Sequence, residues 1–366
     1  MQYSSSGQNA DKKLVNLPIG ALTIIVIAFI LKPMPAAKPG QSLKQQFKQL
    51  DPLGSLFLLP SIICLLLALQ WGGSTYAWSD GKIIALLVVF AVLFIAWILV
   101  QVFMQTNATV PARIIKNRSI IAAMLFVWCT GSCMMIFVYY IPIWFQAIKG
   151  VSAVRSGIDT IPMVLSVVVG TISGGQITGR LGYYTPLAYV SVVLAPIGAG
   201  LISTFSVTTG HSMWIGYQVL FGLGIGIGMQ QGMMAAQTVL PRSDVPSGVS
   251  LILLAQLLGG AIFLSVGQQI FTSNLVSRLS SLVPGLDPAM IVNTGATELR
   301  TRVSAEQLSA VLEAYNYALR QVFLVGTGLG AAAAIGAFAL EWKSVKKAPK
   351  GESNKPEEEK AESGEV

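Results

Sequence analysis

The chain consists of long apolar runs separated by short polar connections. The runs lie at roughly 16–31, 53–71, 83–104, 120–145, 157–177, 186–205, 214–237, 248–271 and 321–340. About 20 predominantly apolar residues suffice for a helix to cross the hydrocarbon core of a bilayer. The pattern therefore predicts an all-α polytopic membrane protein with about nine transmembrane helices. The first run is short and the fifth contains glycines, so the expected range is about seven to nine.

Three segments lack such runs. Residues 1–15 are predicted to be an extracytoplasmic N-terminal segment, and residues 341–366 a disordered tail, because the tail mixes lysine and glutamate without apolar anchors. Residues 272–320 are predicted to form an extracytoplasmic loop that contains a helix. Ser304 followed by Gln307 matches a capping box, and apolar residues then recur at helical spacing. That helix is expected either on the membrane surface or as a lid over neighbouring loops.

Composition supports a membrane protein and excludes a nucleic-acid partner. Hydrophobic residues make up 53% of the chain and charged residues 11%, whereas soluble domains carry about a quarter charged residues. The net charge is +8, but the basic residues stand between apolar runs, where topology rules place them. Counting them predicts a cytoplasmic C-terminus and an outside N-terminus. The chain is expected in the lipid bilayer of the plasma membrane, with a vacuolar or vesicle membrane as alternatives.

The beginning of the chain permits a second interpretation. Lys12 and Lys13, the apolar stretch 19–31 and the small residues of PMPAA are together similar to a secretory signal peptide. Pro18 and the lysine-rich connection that follows favour a membrane span instead.

Few residues are suited to catalysis or metal binding. His211 is the only histidine, and Cys64, Cys129 and Cys133 lie within apolar runs without the CxxC spacing of redox or zinc sites. No cluster of histidine and carboxylate residues falls at any membrane depth. We therefore expect no metal, no cofactor and no enzyme activity.

The run 214–240 combines glycines with amides. A phosphate-binding loop is excluded because its glycines lie at a strand-to-helix turn. Alternating glycines in an apolar helix favour close helix packing; these are Gly222, Gly224, Gly226 and Gly228. Buried amides need partners or a wet cavity. The candidate substrate path comprises amides and aromatic residues that suit broad apolar ligands, namely Tyr139, Trp144, Gln146, Gln230, Gln231, Gln237 and Gln256. For the aromatic members, an interfacial belt is the alternative.

The stretch GTISGGQITGRLGYYTP, residues 170–186, indicates a close helix contact near a turn. Gly175 and Gly179 have the spacing that lets two helices approach, Arg180 follows, and Gly182 begins a tight turn. An arginine at this place can hydrogen-bond carbonyls at a neighbouring helix end, as a gate requires. A static hairpin with a snorkelling arginine is the alternative.

Six stretches in register resemble the fourteen-span drug:proton antiporter branch of the major facilitator superfamily, in particular fungal toxin and multidrug efflux pumps. They are NLPIGALTIIVI, LDPLGSLFLLPSIICLLLALQWGGSTYAWSDG, YYIPIWFQAIKGVSAVRSGIDTIP, GGQITGRLGYYTP, GLGIGIGMQQGMMAAQ and LLAQLLGGAIFLSVGQQIF. The resemblance covers residues 16–340. It implies a partial major-facilitator fold holding family spans six to fourteen. Residues 16–104 would be the sixth span and two extra central spans, and residues 120–340 the C-terminal six-helix half.

The resemblance implies a function and a role for the turn. Gly179, Arg180 and Gly182 would repeat the family's cytoplasmic gating loop. The implied activity is efflux of small hydrophobic metabolites, toxins or drugs, driven by a proton gradient. Since the first five spans of the family are not in this sequence, the alternative is a truncated or partner-dependent membrane protein that needs a second chain. No carboxylate falls in the middle of a run, and Asp159 is favoured as an interfacial residue.

Overall fold

The computed structural model describes residues 16–30, 51–73, 75–103, 112–284, 286 and 288–346. The predicted segment 1–15 and most of the predicted tail lie outside them. The chain forms two compact units, residues 1–50 and 51–366. In the first unit the described element is helix α1 (Asn16–Ile30). The helices of the second unit, in chain order, are α2 (Pro52–Trp71), α3 (Gly81–Phe103), α4 (Ala112–Ile115), α5 (Arg118–Trp144), α6 (Ala153–Asp159), α7 (Ile161–Leu181), α8 (Thr185–Ile202), α9 (His211–Met229), α10 (Gln231–Val239), α11 (Val245–Leu282), α12 (Pro288–Asn293), α13 (Leu299–Arg302) and α14 (Ala305–Ala339).

Eight helical segments of the described chain are long and apolar enough to cross a membrane. The prediction of an all-α polytopic membrane protein is confirmed. Within the described residues the number is eight, inside the expected range of seven to nine, because the described part of α1 has 15 residues. At 1.5 Å per residue such a helix is about 22 Å long, short of the roughly 30 Å hydrocarbon core.

The predicted loop 272–320 is largely helical. Helix α11 continues to Leu282, and α14 runs without a break from Ala305 to Ala339. With 38 and 35 residues, both helices exceed what a bilayer requires. The helix predicted around Ser304 is therefore neither a separate surface helix nor a lid, but the first half of the last span. Its apolar positions stay in phase with those of the second half, so one side packs continuously into the bundle, where Val311, Leu319 and Phe323 are buried.

Six spans form a bundle around α5. Helix α5 packs against α10, α11 and α14, α9 lies between α7 and α8, and α14 also contacts α8 and α11. At the centre, the ring of Phe137 stacks on Phe323 with centroids 5.3 Å apart and lies 4.5 Å from the ring of Phe221. These three buried rings join α5, α14 and α9.

Helices α2 and α3 form a hairpin beside this bundle. The two helices pack on each other, and the Ser61 hydroxyl donates to the Phe90 carbonyl at 3.2 Å. Only α2 has an extensive contact with the bundle, through α11, where the Gln269 amide donates to the Leu69 carbonyl at 3.5 Å. Most apolar side chains of the hairpin are exposed, including Leu56, Val92 and Phe103. In a bilayer this surface is compatible with contact to lipid.

The bundle has two ends, which we name by a residue at each. At the Arg180 end, α7 turns into α8 and α14 terminates. At the Lys149 end, α5 finishes as a π-helix, Phe145–Lys149. There the Lys149 ammonium donates to the carbonyls of Val207 and Thr209 at 2.8 and 2.7 Å, which ties α5 to the α8–α9 loop.

Candidate functional site

The four alternating glycines of α9 divide between two neighbouring helices. Gly222 and Gly226 face α7, and a Cβ on Gly226 would overlap the Val167 carbonyl and lie 3.0 Å from the Cα of Gly170. Gly224 and Gly228 face α8, where a side chain would meet backbone or side-chain atoms of Ala195 and Ser191. A period of two along a helix gives steps of about 200°, so consecutive members of such a series lie on nearly opposite sides. The glycine series thus lets α9 approach both neighbours closely.

Gln231 joins α10 to α7 three residues after the last glycine of this series. Its side chain is completely buried, its amide donates to the Ile227 carbonyl at 2.8 Å, and its oxygen accepts from the Thr178 hydroxyl at 3.1 Å. The amide is thus satisfied by protein groups. In this conformation Gln231 has no surface to offer a substrate.

The glycines of α7 in and before the predicted gating motif differ in whether they contact another helix. Gly170 and Gly174 pack against α9, but a Cβ on Gly175 or Gly179 would meet nothing within 4 Å. Arg180 is exposed, and its guanidinium forms no hydrogen bond or ion pair with the residues that the structure describes. Within the described chain, the face of α7 carrying Gly175 and Gly179 is therefore open, and the predicted helix-to-helix contact at these glycines does not form there.

Gly182 sets the turn after α7. Its φ of 84° lies in the left-handed region, which glycine adopts without steric cost. Residues 341–346, which follow α14, lie against this turn: the Val345 N–H donates to the Gly182 carbonyl at 2.9 Å, and the Lys346 ammonium donates to the Arg180 carbonyl at 2.6 Å. The turn is therefore held by a segment distant in sequence.

Trp144 is a core residue in this structure. It is fully buried, packs 4.6 Å from the ring of Phe205, and donates its indole N–H to the Asn316 side chain at 2.9 Å. Neither a substrate path nor an interfacial belt matches this position, because both need exposed surface. Trp144 instead connects α5 to α14 and to the α8–α9 loop.

The other predicted path residues lie at different depths. Gln146 bonds the Ser156 hydroxyl at 3.0 Å in the π-helix, near the Lys149 end. Gln256 packs on Gly131 of α5, eight residues before Tyr139 and so about 12 Å deeper. Gln230 and Gln237 are exposed on the α9–α10 side toward the Arg180 end. The seven residues do not form one pocket in the described chain.

A more compact set surrounds Tyr139. Its ring is 48% exposed and contacts Tyr140 edge to face at 5.0 Å. The Tyr140 hydroxyl donates to the side-chain oxygen of Gln268, an exposed residue of α11, at 3.3 Å. Phe271 and Tyr315 form an aromatic wall behind them, with ring centroids 5.0 Å apart. We call Tyr139, Tyr140, Gln268, Phe271 and Tyr315 the aromatic-amide patch.

Gln268, Phe271 and Tyr315 were not among the residues predicted for the substrate path. The pair Gln268-Gln269 was visible as amides inside an apolar run, which is the signal that could have identified it. Tyr315 lies in the segment predicted as a loop, and only the continuous helix α14 brings it beside α11.

The aromatic-amide patch borders an open apolar stripe on α5. The stripe consists of exposed side chains along one side of the helix; its members are Ile121, Leu125, Met135, Val138 and Tyr139. Helix α7 exposes a similar stripe of aliphatic residues, including Val164, Val168 and Ile172. An apolar surface with an amide and a phenol at its edge can bind hydrophobic molecules with few directional contacts.

Among the described residues, no group of three or more histidine, cysteine or carboxylate side chains is placed to hold a metal ion. Burial raises the pKa of Tyr184, beside the Gly182 turn, to about 12; Ser119 lowers it and the charge of Glu341 raises it to a smaller extent.

The sequence is similar to curated fungal transporters. It is 51% identical over 333 residues to an MFS-type efflux pump of Arthroderma benhamiae, a match that covers 91% of this chain and 62% of that protein. It is 46% identical over 332 residues to a rubrofusarin-specific efflux pump of Gibberella zeae, covering 91% and 61%. The chain thus spans about three fifths of the length of these relatives. No protein-family model matches the sequence.

A solved structure shares the fold. A bacterial homologue of the human lysosomal transporter Spinster, in an inward-facing and unoccupied conformation, matches with a TM-score of 0.50 and 15% identity, over 80% of this chain and 64% of that one. At this identity the likeness concerns the fold alone.

Proposed function

Because the chain belongs to the major facilitator superfamily, among the MFS-type efflux pumps, we propose that it takes part in the export of small hydrophobic metabolites, toxins or drugs. The observation that carries the proposal is the aromatic-amide patch beside the open stripe of α5. Its exposed phenol and amide give a substrate two polar contacts on an otherwise apolar surface. One relative is named a rubrofusarin-specific efflux pump.

Residues 120–340 are proposed as the C-terminal half of a facilitator, and residues 16–104 as the spans that precede it. Facilitators move substrate by rocking two halves around a site at the middle of the membrane. The open faces of α5 and α7 would line that site. The alternative is a membrane protein that does not transport, or that acts only together with a second chain.

The test is dye accumulation in inside-out membrane vesicles that contain the chain and carry an imposed proton gradient. We expect accumulation above that of vesicles without the chain. Tyr139→Ala and Gln268→Leu should each raise KM about threefold to tenfold, the loss of roughly 1 kcal/mol of binding. Val193→Ala, at an exposed position of α8, is the control and should leave KM unchanged.

Two results would decide against the proposal. Vesicles with and without the chain that accumulate equal dye would favour the non-transporting alternative. Accumulation that Tyr139→Ala and Gln268→Leu leave unaltered would remove the aromatic-amide patch from the substrate path, while keeping transport.

We also propose that export is coupled to protons. Buried carboxylates are the usual proton carriers in membrane pumps. Within the eight candidate spans as described, Asp159 is the buried carboxylate, and it pairs with Arg155 at 3.1 Å. Asp159→Asn should abolish accumulation driven by the gradient and retain passive dye exchange. The control is Glu313→Gln, at an exposed carboxylate of α14, which should leave both the accumulation driven by the gradient and the passive dye exchange unchanged. Equal loss in both variants would exclude Asp159 as the coupling acid.

The Arg180 end is proposed to face the cytoplasm of a plasma-membrane protein. Four basic residues lie in the short connections at this end or in the adjoining helix ends, namely Lys116, Arg118, Arg180 and Arg242. Positive residues favour the cytoplasmic side. A protease-sensitive tag after Val366 should resist digestion in intact cells and be removed in inside-out vesicles. Digestion in intact cells would reverse the orientation.

A further inference from the structure

We propose that residues 341–346 form a reversible latch that holds the turn between α7 and α8, and that the latch opens and closes as the helices move. We call Glu341–Lys346 the latch segment. The inference rests on the proposed transport function, because a latch has a role only where the helices change position.

The latch segment occupies the exposed end of α7. The last carbonyls of a helix have no donor within the helix. Here the Arg180 carbonyl accepts from the Lys346 ammonium at 2.6 Å, and the carbonyl of Gly182, the residue after α7, accepts from the Val345 N–H at 2.9 Å. Tyr183 and Ser344 pair as an antiparallel bridge. A lysine at a helix C-terminus also interacts favourably with the helix dipole.

The same segment contacts the start of α8. The carbonyl of Glu341 accepts from two hydroxyls, that of Tyr184 at 2.6 Å and that of Thr185 at 3.2 Å. The ring of Trp342 lies 6.1 Å from those of Tyr183 and Tyr189. One short segment therefore touches both sides of the turn.

The carboxylate of Glu341 pairs with a lysine inside the latch segment. This ion pair with the Lys343 ammonium, at 2.6 Å, is the main cause that lowers the pKa of Glu341, and Ser119 and Arg118 at the start of α5 lower it further. The latch segment thus links the α7–α8 turn with the end of α14.

The character of these contacts indicates that they can open. The contacts of residues 342–346 are mainly polar and lie at the surface, with Trp342 58% exposed and Lys343 and Lys346 exposed, whereas the Glu341 carbonyl binds the buried residues Tyr184 and Thr185. Segments held by few buried apolar contacts open at low free-energy cost. The end of α14 is anchored separately, because Ala337 and Leu340 are buried in the core. The latch segment can therefore leave the turn without unfolding α14.

The test joins the two sides covalently. In the double variant Tyr183→Cys with Ser344→Cys, the Cα atoms of an antiparallel pair lie about 4.5 to 5.5 Å apart, within disulfide range. We expect oxidation to form the disulfide and to lower dye accumulation at least fivefold, and reduction to restore it. The single variants Tyr183→Cys and Ser344→Cys should be insensitive to oxidant, which also controls for Cys64, Cys129 and Cys133.

Two outcomes would overturn the latch while leaving transport intact: absence of the disulfide under oxidant, or equal accumulation by the oxidised and reduced double variant. If the unmodified chain accumulates no dye, the proposed function fails, and amide hydrogen exchange then decides on the latch. Lys346→Ala with Tyr184→Phe should raise exchange at residues 179–186 about tenfold and leave residues 311–323 unchanged. Unchanged exchange at the turn would contradict the latch.

Discussion

Trp144 of α5 donates its indole N–H to the side-chain oxygen of Asn316 of α14 at 2.9 Å, and both side chains are buried. The amide of Asn316 in turn donates to the Phe205 carbonyl in the α8–α9 loop at 3.1 Å. One asparagine therefore satisfies two groups from two other parts of the bundle. A buried polar group that loses its partner costs more than the bond itself contributed.

Asn316→Ala should destabilise the chain by about 1 to 3 kcal/mol, because it leaves the Trp144 N–H and the Phe205 carbonyl without partners. The measurement is the free energy of unfolding in detergent by denaturant titration. Asn274→Ala is the matched control, since the hydrogen bond that its amide forms within the described chain is to the Ile270 carbonyl, one turn away in its own helix. Equal destabilisation by both variants would contradict the bridging role.

Gly226→Ala should destabilise the chain by about 1 to 3 kcal/mol, because the added methyl forces α7 and α9 apart. Gly216→Ala on the same helix meets nothing within 4 Å and should be neutral or slightly stabilising, as alanine favours helix. Thermal unfolding followed by circular dichroism compares them. If the two variants have the same midpoint, the close approach at Gly226 is not required.

Gln231→Leu should be destabilising by about 1 kcal/mol or more, because the Thr178 hydroxyl loses its acceptor in a buried position. Gln230→Leu, at the exposed neighbouring residue, should leave stability unchanged. The unfolding midpoint in detergent is the measurement. If Gln230 contacts substrate, Gln230→Leu should raise KM in the transport assay more than Gln231→Leu does. The two variants therefore separate an effect on folding from an effect on binding.

Alkaline pH should weaken the contact made by Tyr184. Burial raises the pKa of its phenol to about 12, above the ordinary value of about 10. The neutral phenol is favoured in the folded chain, so its contribution is complete below about pH 10 and is lost as pH rises toward 12. Between these values the unfolding midpoint of the chain should fall more steeply than that of Tyr184→Phe. Parallel curves for the two proteins would show that this phenol does not contribute.

Hydropathy could predict the spans, because each crosses an apolar phase whose thickness fixes the length of the run. It could not place the ends of α11 and α14. The additional turns of these helices are stabilised by packing against other helices, as the buried Leu275, Leu279 and Val311 show. Such packing depends on neighbours that are distant in sequence. The same cause made the connection appear longer than the stretch between Leu282 and Ala305.

The types of residue in the candidate site could be predicted from the sequence, but the directions in which their side chains point could not. Tyr139 and Trp144 are five residues apart on one helix, yet one is half exposed and the other fully buried. Trp144 is bound by Asn316, 172 residues further along the chain, and composition does not connect the two. Likewise, the adjacent Gln230 and Gln231 differ because Thr178 faces only the second. Side-chain direction within a bundle is set by its partners, and those become known only when the helices are assembled.

The alternating glycines of α9 have a consequence for engineering and for natural variation. Helix α9 touches α7 through one pair and α8 through the other, so a change at any of the four positions enlarges one of two tightly fitted interfaces. Every other amino acid brings the carbon that these interfaces exclude. A saturation library across residues 222–228 should therefore recover variants at the three intervening positions, Leu223, Ile225 and Ile227, far more often than at the glycines. We therefore expect these four glycines to be among the positions of the bundle that tolerate substitution least.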